Sequence, residues 1–310
     1  LNDTVGIDIS KATLDAFRVS DGRREQFYND AAGLKKLKKW LGKTPVRVIY
    51  EPTGPYHRDL EQALASTSHG LVKVNPTRAR RFAQATGQTA KTDRVDAELL
   101  ARMGAVLNLE ASPARSETLM EIKELHVARV GLIKDRTACR NRLGTARCKV
   151  IISQLNARYR QIKAQIAQID AELVRYVKAD PELARRYEIL LSIPGIGQVA
   201  AIALIVEMPE LGSMNAKEVA SLAGLAPITR QSGMWKGKAR ISGGRQTIRT
   251  MLFMPALIAT RFNAPLRQIH EALIGAGKPW KVSITAVMRK LVILANALVR
   301  DDRIWAEARA

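Results

Sequence analysis

The chain has 310 residues, 46% of them hydrophobic and 5% aromatic, and its 50 Lys and Arg against 29 Asp and Glu give a formal net charge of +21. That length buries a sizeable core and predicts two or three domains, while the charge points to a polyanionic partner, nucleic acid before membrane. No apolar run approaches the roughly 18 residues of a membrane span, and the N-terminus lacks the basic-then-apolar layout of a signal peptide. The chain opens on Leu1 without Met, which leaves room for a few preceding residues. Cys139 and Cys148 fall in one predicted helix on opposite faces and cannot pair there, and the absence of a disulfide framework or CxxC pattern fits a cytosolic setting.

Thr4–Ile9 is a short β-branched run, 13–19 alternates as its hairpin partner, and Asp21-Gly22 turns the chain into a third strand near 26–28. Leu34, Leu37 and Leu41 stripe a helix. A buried-type strand over 46–50 runs into Glu51-Pro52-Thr53-Gly54-Pro55, a hard stop. A helix over 56–65, a strand at 71–74, a helix from Thr77 and a further helix opening at Lys91-Thr92-Asp93-Arg94-Val95-Asp96 complete the expected α/β domain with a mixed sheet.

Four acids stand out. Asp8 is a charge inside an apolar strand, costly unless paired, protonated, metal-bound or turned to solvent. Glu51 ends a strand, where sites of α/β sheets collect. Asp93 and Asp96, three apart, project from one side of a helical first turn, either as a cap with its partner at N3 or as half of a metal site. Hard oxygen ligands from separate elements are what Mg2+ requires for phosphoryl chemistry.

From Ser116 to Tyr187 the chain reads as long helices. Ile152, Leu155, Tyr159, Ile162, Ile166, Ile169, Leu173 and Tyr176 form a heptad seam that suits either an antiparallel hairpin within the chain or an intermolecular coiled coil, and Pro181 ends it. Between Arg129 and Lys163 there are ten basic residues, among them Arg136, Arg140, Arg142 and Arg147, and one acid, Asp135, so the arm offers a flank for nucleic acid. Ser192-Ile193-Pro194-Gly195-Ile196-Gly197 then opens an apolar helix. Backbone N–H groups at Gly195 and Gly197 would clasp phosphate as in helix–hairpin–helix units, the alternative being a plain turn between core helices. Residues 211–300 hold 14 basic residues to 2 acidic. Within them Ser232 lies in mid-loop among Arg230, Lys236, Lys238 and Arg240, either to bind phosphate or to act as nucleophile. Ser242 stands where an N-cap would precede a helix bearing Arg245 and Arg249. The four histidines are scattered and give Ser-His-Asp logic no support.

Together, Gly6-Ile7-Asp8-Ile9-Ser10-Lys11, Glu51-Pro52-Thr53-Gly54-Pro55-Tyr56, Lys91-Thr92-Asp93-Arg94-Val95-Asp96-Ala97, Ser192–Gly197 and Gly224-Leu225-Ala226-Pro227 followed by Ser232-Gly233 resemble, in order, the DEDD transposases of the IS one-ten group of insertion sequences. The resemblance implies a ribonuclease H-like (RuvC-like) α/β domain over 1–110, a helical coiled-coil arm over 111–188 and a mainly α C-terminal transposase domain over 189–310. It implies a Mg2+-binding tetrad of Asp8, Glu51, Asp93 and Asp96, and Ser232 as the nucleophile that holds DNA in a phosphoserine link. It also implies homodimers and tetramers acting on donor and target DNA with a non-coding bridge RNA, in the cytoplasm at the nucleoid, with no membrane partner. A hydrolytic RuvC-like nuclease or junction resolvase, and a non-enzymatic architectural protein, are the competing readings.

Overall fold

The computed structural model describes residues 3–52, 54–87, 93–111, 117–229, 231–237 and 239–306, with the side chains at 93–95, 117, 235 and 236 outside that description. The expected roles of Arg230 and Lys238, and of the side chains of Asp93 and Lys236, therefore lie outside the described residues. The chain divides into two compact units, Leu1–Ser116 and Glu117–Ala310.

In the first unit, β1 (Thr4–Ile9) and β2 (Thr13–Arg18) form a hairpin. Its turn is fixed by Ser10, whose hydroxyl accepts from the Thr13 amide at 2.8 Å and the Ala12 amide at 3.2 Å. Next come β3 (Arg24–Tyr28), α1 (Ala31–Leu41), β4 (Arg47–Tyr50), α2 (Arg58–Ala65), β5 (Gly70–Lys73), α3 (Pro76–Ala85) and α4 (Asp93–Val106). Asp30 caps α1 through the Gly33 amide at 2.7 Å, and Asn75 caps α3 through the Thr77 amide at 2.9 Å, with Pro76 at the first helical position.

The five strands lie in the order β3-β2-β1-β4-β5, so β1 is central. β2 and β3 pair antiparallel, as do β1 and β2, whereas β4 runs parallel to both β1 and β5. One face, with Val5, Ile7, Ile9, Leu14, Val48 and Tyr50, packs on Leu34, Leu37, Leu60 and Leu64 of α1 and α2. The other face carries Ile49 and Val72 against Ala79, Leu100 and Met103 of α3 and α4. The mixed sheet between helices is the architecture that the alternating pattern predicts.

α4 crosses β1 at the closest distance backbone allows. A Cβ on Gly6 would stand 2.0 Å from the Ala97 carbonyl oxygen and 2.5 Å from the Ala101 amide. Further along α4, a Cβ on Gly104 would meet Ile49 at 2.4 Å and Thr4 at 3.0 Å. Advancing along α4 thus means moving back along β1, so the helix's first turn overlies the C-terminal half of the central strand.

The second unit begins with α5 (Glu117–Thr145) and α6 (Lys149–Ala179). They form an antiparallel hairpin in which Ile162 and Ile166 pack with Cys139, Leu132, Ile133, Leu155 and Tyr159. The heptad seam is thus closed within the chain, one of the two arrangements it allows. Cys148 does not continue the helix of Cys139 as expected. The chain breaks at 146–148 so that the seam can fold back on α5, and Cys148 becomes the N-cap position of α6. Asp180 ends α6 and caps α7 (Pro181–Ser192) through the amides of Glu182 and Leu183.

α8 (Gln198–Glu207) is buried along nearly its whole length, and α9 (Ala216–Leu222) starts with a capping box between Asn215 and Glu218. The serine segment is two nested two-stranded ladders, β6 (Pro227–Ile228) with β9 (Arg240–Ile241) and β7 (Gln231–Ser232) with β8 (Trp235–Lys236). It is followed by α10 (Gln246–Phe262), α11 (Ala264–Gly275) and α12 (Trp280–Arg300).

α12 is long and apolar enough by composition to cross a membrane, with an 18-residue window of mean hydropathy 1.7. Its buried stripe of Ile284, Val287, Leu291, Val292, Ala295 and Leu298 belongs to the main core of the unit, and Arg289-Lys290 interrupts its apolar run.

Candidate active site and nucleic-acid interface

Side-chain alternation decides which face of the sheet each acid takes. Val5, Ile7 and Ile9 belong to the α1/α2 face, so Gly6 and Asp8 lie on the α4 face, and Asp8 is half-buried rather than turned to open solvent. The β1–β4 register pairs Ile7 with Tyr50; one step further, Glu51 stands beside Asp8. Ile49 packs toward α4, so the same alternation brings Glu51 to that face. Asp96 lies in the first turn of α4, which overlies this end of β1. Three expected site residues are thereby brought to one face at one end of the sheet. The helix begins on Asp93 itself, one position inside the cap weighed for it. Among the described residues no three His, Cys, Asp or Glu side chains close into a metal-holding group.

A fourth carboxylate shares this row. Asp15 is paired directly with Asp8 across the β1–β2 ladder and with Gln26 across the β2–β3 ladder. Leu14 and Ala16 face α1, whereas Phe17 packs on Ala97 and Ala101 of α4, so Asp15 shares the α4 face. Sequence reasoning singles out neither Asp15 nor Gln26; the only signal available is the polar position in an otherwise apolar, alternating strand.

Behind Glu51, at the tips of β4 and β5, Glu61 gathers a small network. Lys73 approaches it at 2.6 Å, the Tyr50 hydroxyl donates to it, and His57 Nε2 lies 3.8 Å away. Burial works against the Glu61 carboxylate, but hydrogen bonds from Lys73 and Tyr50 hold it below its ordinary range. Burial, reinforced by Lys73, pushes the His57 imidazole down.

In the second unit Ser232 is exposed in β7 opposite Trp235, not in an open loop, and Gly233 at φ 54° opens the turn beside it. The ladders form because Gln231-Ser232 and Trp235-Lys236 flank a two-residue Gly-Met turn, a hairpin signal that the Gly- and Lys-rich context obscures. Among the described side chains no histidine, lysine or carboxylate is bonded to the Ser232 hydroxyl.

The hairpin's base is sewn down by glycines. A Cβ on Gly244 (φ 60°) would lie 2.2 Å from the Gly224 amide nitrogen, and one on Gly224 (φ 67°) would lie 2.3 Å from the Gly243 carbonyl. Ser242 is consequently not a cap. With Gly243 and Gly244 both left-handed, the N-cap position passes to Arg245, which makes no side-chain cap.

The expected nucleic-acid contacts divide by how their side chains are used. Arg245 grips both Glu210 oxygens at 2.7 and 2.6 Å and the Glu207 carbonyl at 2.6 Å, and Arg249 donates to the Gly243 carbonyl, so both brace the hairpin. Arg240 is exposed on the hairpin, Arg140, Arg142 and Arg147 are exposed along the arm and its tip, and Arg136 is half-buried. Gly195 (φ 108°) is pressed on α10, where a Cβ would meet the Pro255 carbonyl at 2.7 Å, so packing requires glycine there. Gly197, by contrast, is exposed at the N-terminus of α8 with nothing within 4 Å of its Cβ position.

Residues 5–146 match a DEDD transposase domain of the IS110 type, and residues 187–271 match the transposase IS116/IS110/IS902 family. The chain is 32% identical to the pilin gene-inverting protein of Moraxella bovis over 96% of each chain, and equally so to the pilin gene-inverting protein of Moraxella lacunata. A 43.6 kDa protein of insertion element IS110 from Streptomyces coelicolor is 24% identical over 52% of this chain and 40% of its own. With its first unit carrying the acidic row and its second the serine hairpin, the chain belongs to the IS116/IS110/IS902 family of transposases and is an enzyme of DNA transposition and recombination.

Proposed function

We propose that this chain is an RNA-guided DNA recombinase of an insertion sequence. It cuts and rejoins donor and target DNA through a covalent phosphoserine at Ser232, assisted by a divalent cation, Mg2+, held by Asp8, Glu51, Asp93 and Asp96. The observation that carries this reading is the convergence of Glu51, Asp8 and Asp96 on one face of the sheet beneath the N-terminus of α4. The strand order, antiparallel on one side of β1 and parallel on the other, supports a RuvC-like, ribonuclease H-type unit. An all-oxygen donor set suits a hard divalent ion. When bound, such a cation stabilises charge on a transferring phosphoryl group and lowers a nucleophile's pKa.

The chain's own contribution is positional. The β7–β8 hairpin presents the Ser232 hydroxyl outward. Its oxygen forms a bond to phosphorus while the bond from phosphorus to the neighbouring sugar oxygen breaks, the departing sugar oxygen ending as a hydroxyl. Rejoining reverses this with a new sugar hydroxyl, so one phosphodiester is exchanged for another and no nucleotide triphosphate is consumed. Exposed arginines on the arm and the open Gly197 turn would hold phosphates without reading sequence. That leaves target choice to pairing with a bridge RNA, as in other RNA-guided systems. Dimers and tetramers working on nucleoid DNA in the cytoplasm follow the family pattern.

The likeness to gene-inverting proteins favours rejoining over a hydrolytic nuclease, since inversion must reseal both strands. Replacing Ser232 by Ala should abolish protein–DNA adducts and leave nucleic-acid binding intact. Adducts that persist, or cleavage leaving free phosphate ends at the wild-type rate, would exclude the serine. Sequencing RNA that co-purifies with the protein tests the guide separately.

A further inference from the structure

Helix α1 turns an unpaired lysine face to solvent. Residues 31–50 hold six basic residues and no acid, and five of the six are Lys35, Lys36, Lys38, Lys39 and Lys43. Leu34, Leu37 and Leu41 are buried, which leaves Lys35, Lys36, Lys39 and Lys43 exposed and Lys38 half-buried. Among the described residues none of the five lysines makes an ion pair, a side-chain hydrogen bond or a ring contact. The acids of the helix and of the elements packed on it, β3 and α2, do not neutralise them. Asp30 caps the helix through Gly33, Glu61 is held by Lys73, and the exposed Glu25 and Asp59 pair with none of these lysines. Helix polarity accounts for Lys38 and Lys39, in the last turn. It does not account for Lys35 and Lys36, which add like-charge neighbours at i,i+3 and i,i+4. A face kept for solubility alone mixes signs. The face also lies away from the acidic row: α1 packs with Val5, Ile7 and Ile9, whereas Gly6 meets α4 and alternation takes Asp8 to that side.

We propose that the lysine face of α1 is a docking surface for duplex DNA, separate from the place where strands are cut. Its chemistry suits phosphates rather than unpaired bases, because α1 exposes ammonium groups and no aromatic ring to stack on. Trp40, the one aromatic residue of the helix, is half-buried, edge-on to Phe27 and beneath the Arg18 guanidinium. The occupant is DNA because the chain belongs to a family of enzymes that act on DNA. The sheet stands between α1 and the acidic row, so a duplex on α1 is a second segment, not the one lying at that row. The inference depends neither on the cation nor on Ser232.

The test is acetylation of lysines in the full-length protein, read by mass spectrometry, with the protein free or saturated with a short mixed-sequence duplex of DNA or of RNA. The DNA duplex is expected to slow modification of Lys35, Lys36, Lys39 and Lys43 severalfold. Replacing those four together by Gln should weaken DNA binding about tenfold or more and make the log–log salt slope shallower by about 2–4. Arginine at the same four positions should restore both. The Gln variant should melt at or above the wild-type temperature, because repulsion along α1 is relieved, which separates lost binding from lost fold. Undiminished reactivity of the four lysines in saturating DNA, or wild-type affinity and slope in the Gln variant, would overturn the proposal. Protection by the RNA duplex and not by DNA would overturn DNA as the occupant. Neither result touches the tetrad or Ser232, which Mn2+ binding and adduct formation test separately.

Discussion

Gly6 permits α4 to lie on β1, and the acidic row depends on that packing. A methyl group there would overlap the Ala97 carbonyl at 2.0 Å, with backbone on both sides and nothing flexible to yield. Gly6→Ala is expected to cost about 1–3 kcal/mol and lower the melting transition of the first unit by roughly 5–15 °C; an unchanged calorimetric melt would contradict the packing described. A second expectation concerns pH. Burial holds His126 of α5 below the ordinary histidine value. The unfolded chain therefore binds the proton more readily than the folded one, and stability present above about pH 6.5 is lost as the pH falls. Melting temperature should drop between pH 7.5 and 5.5, and His126→Leu should flatten part of that slope; an identical pH profile in the variant would exclude the assignment. Legibility at this scale is uneven. Asp8 and Glu51 stand out because a charge in or just past an apolar strand is visible locally. Asp15 does not, because what distinguishes it is its register opposite Asp8, a non-local fact. Ser242 resembles a cap in sequence because nothing local reveals that two successive glycines turn left-handed and move the helix start to Arg245.

Among elements, strands and helices of the first unit fall within a residue or two of what hydrophobic periodicity predicts, since every strand has one face to bury. Periodicity says less about the serine segment. Its strands are two residues each, and β6, β7 and β9 are exposed, so no apolar alternation marks them. Their stability rests instead on the Gly224–Gly244 approach and the Arg245–Glu210 pair. Gly244→Ala is therefore expected to disrupt the hairpin's base and reduce adduct formation at least about tenfold, with Mn2+ binding in the first unit unchanged. Full adduct yield would show the stitch to be dispensable. In the arm, Leu173 is 1% exposed and joins the main core. Leu173→Ala should cost about 2–5 kcal/mol, readable as a lower denaturation midpoint of the second unit.

At the scale of the whole molecule, a net charge of +21 makes affinity for nucleic acid a matter of counterion release. Binding should weaken steeply with salt, with a log–log slope of about −5 or steeper, and Arg140→Ala with Arg147→Ala should shallow it by about one unit for each phosphate set free. A slope near zero would mean that the basic arm does not face the polyanion. The proposed mechanism depends on whether the carboxylates of β1, β4 and α4 hold a cation. Anomalous diffraction from crystals grown with Mn2+ would measure this directly. A peak is expected at the C-terminal end of β1, within ligand distance, about 2.0–2.3 Å, of Asp8 and at least two of Glu51, Asp93 and Asp96. A well-ordered first unit at saturating Mn2+ with no peak there would contradict it.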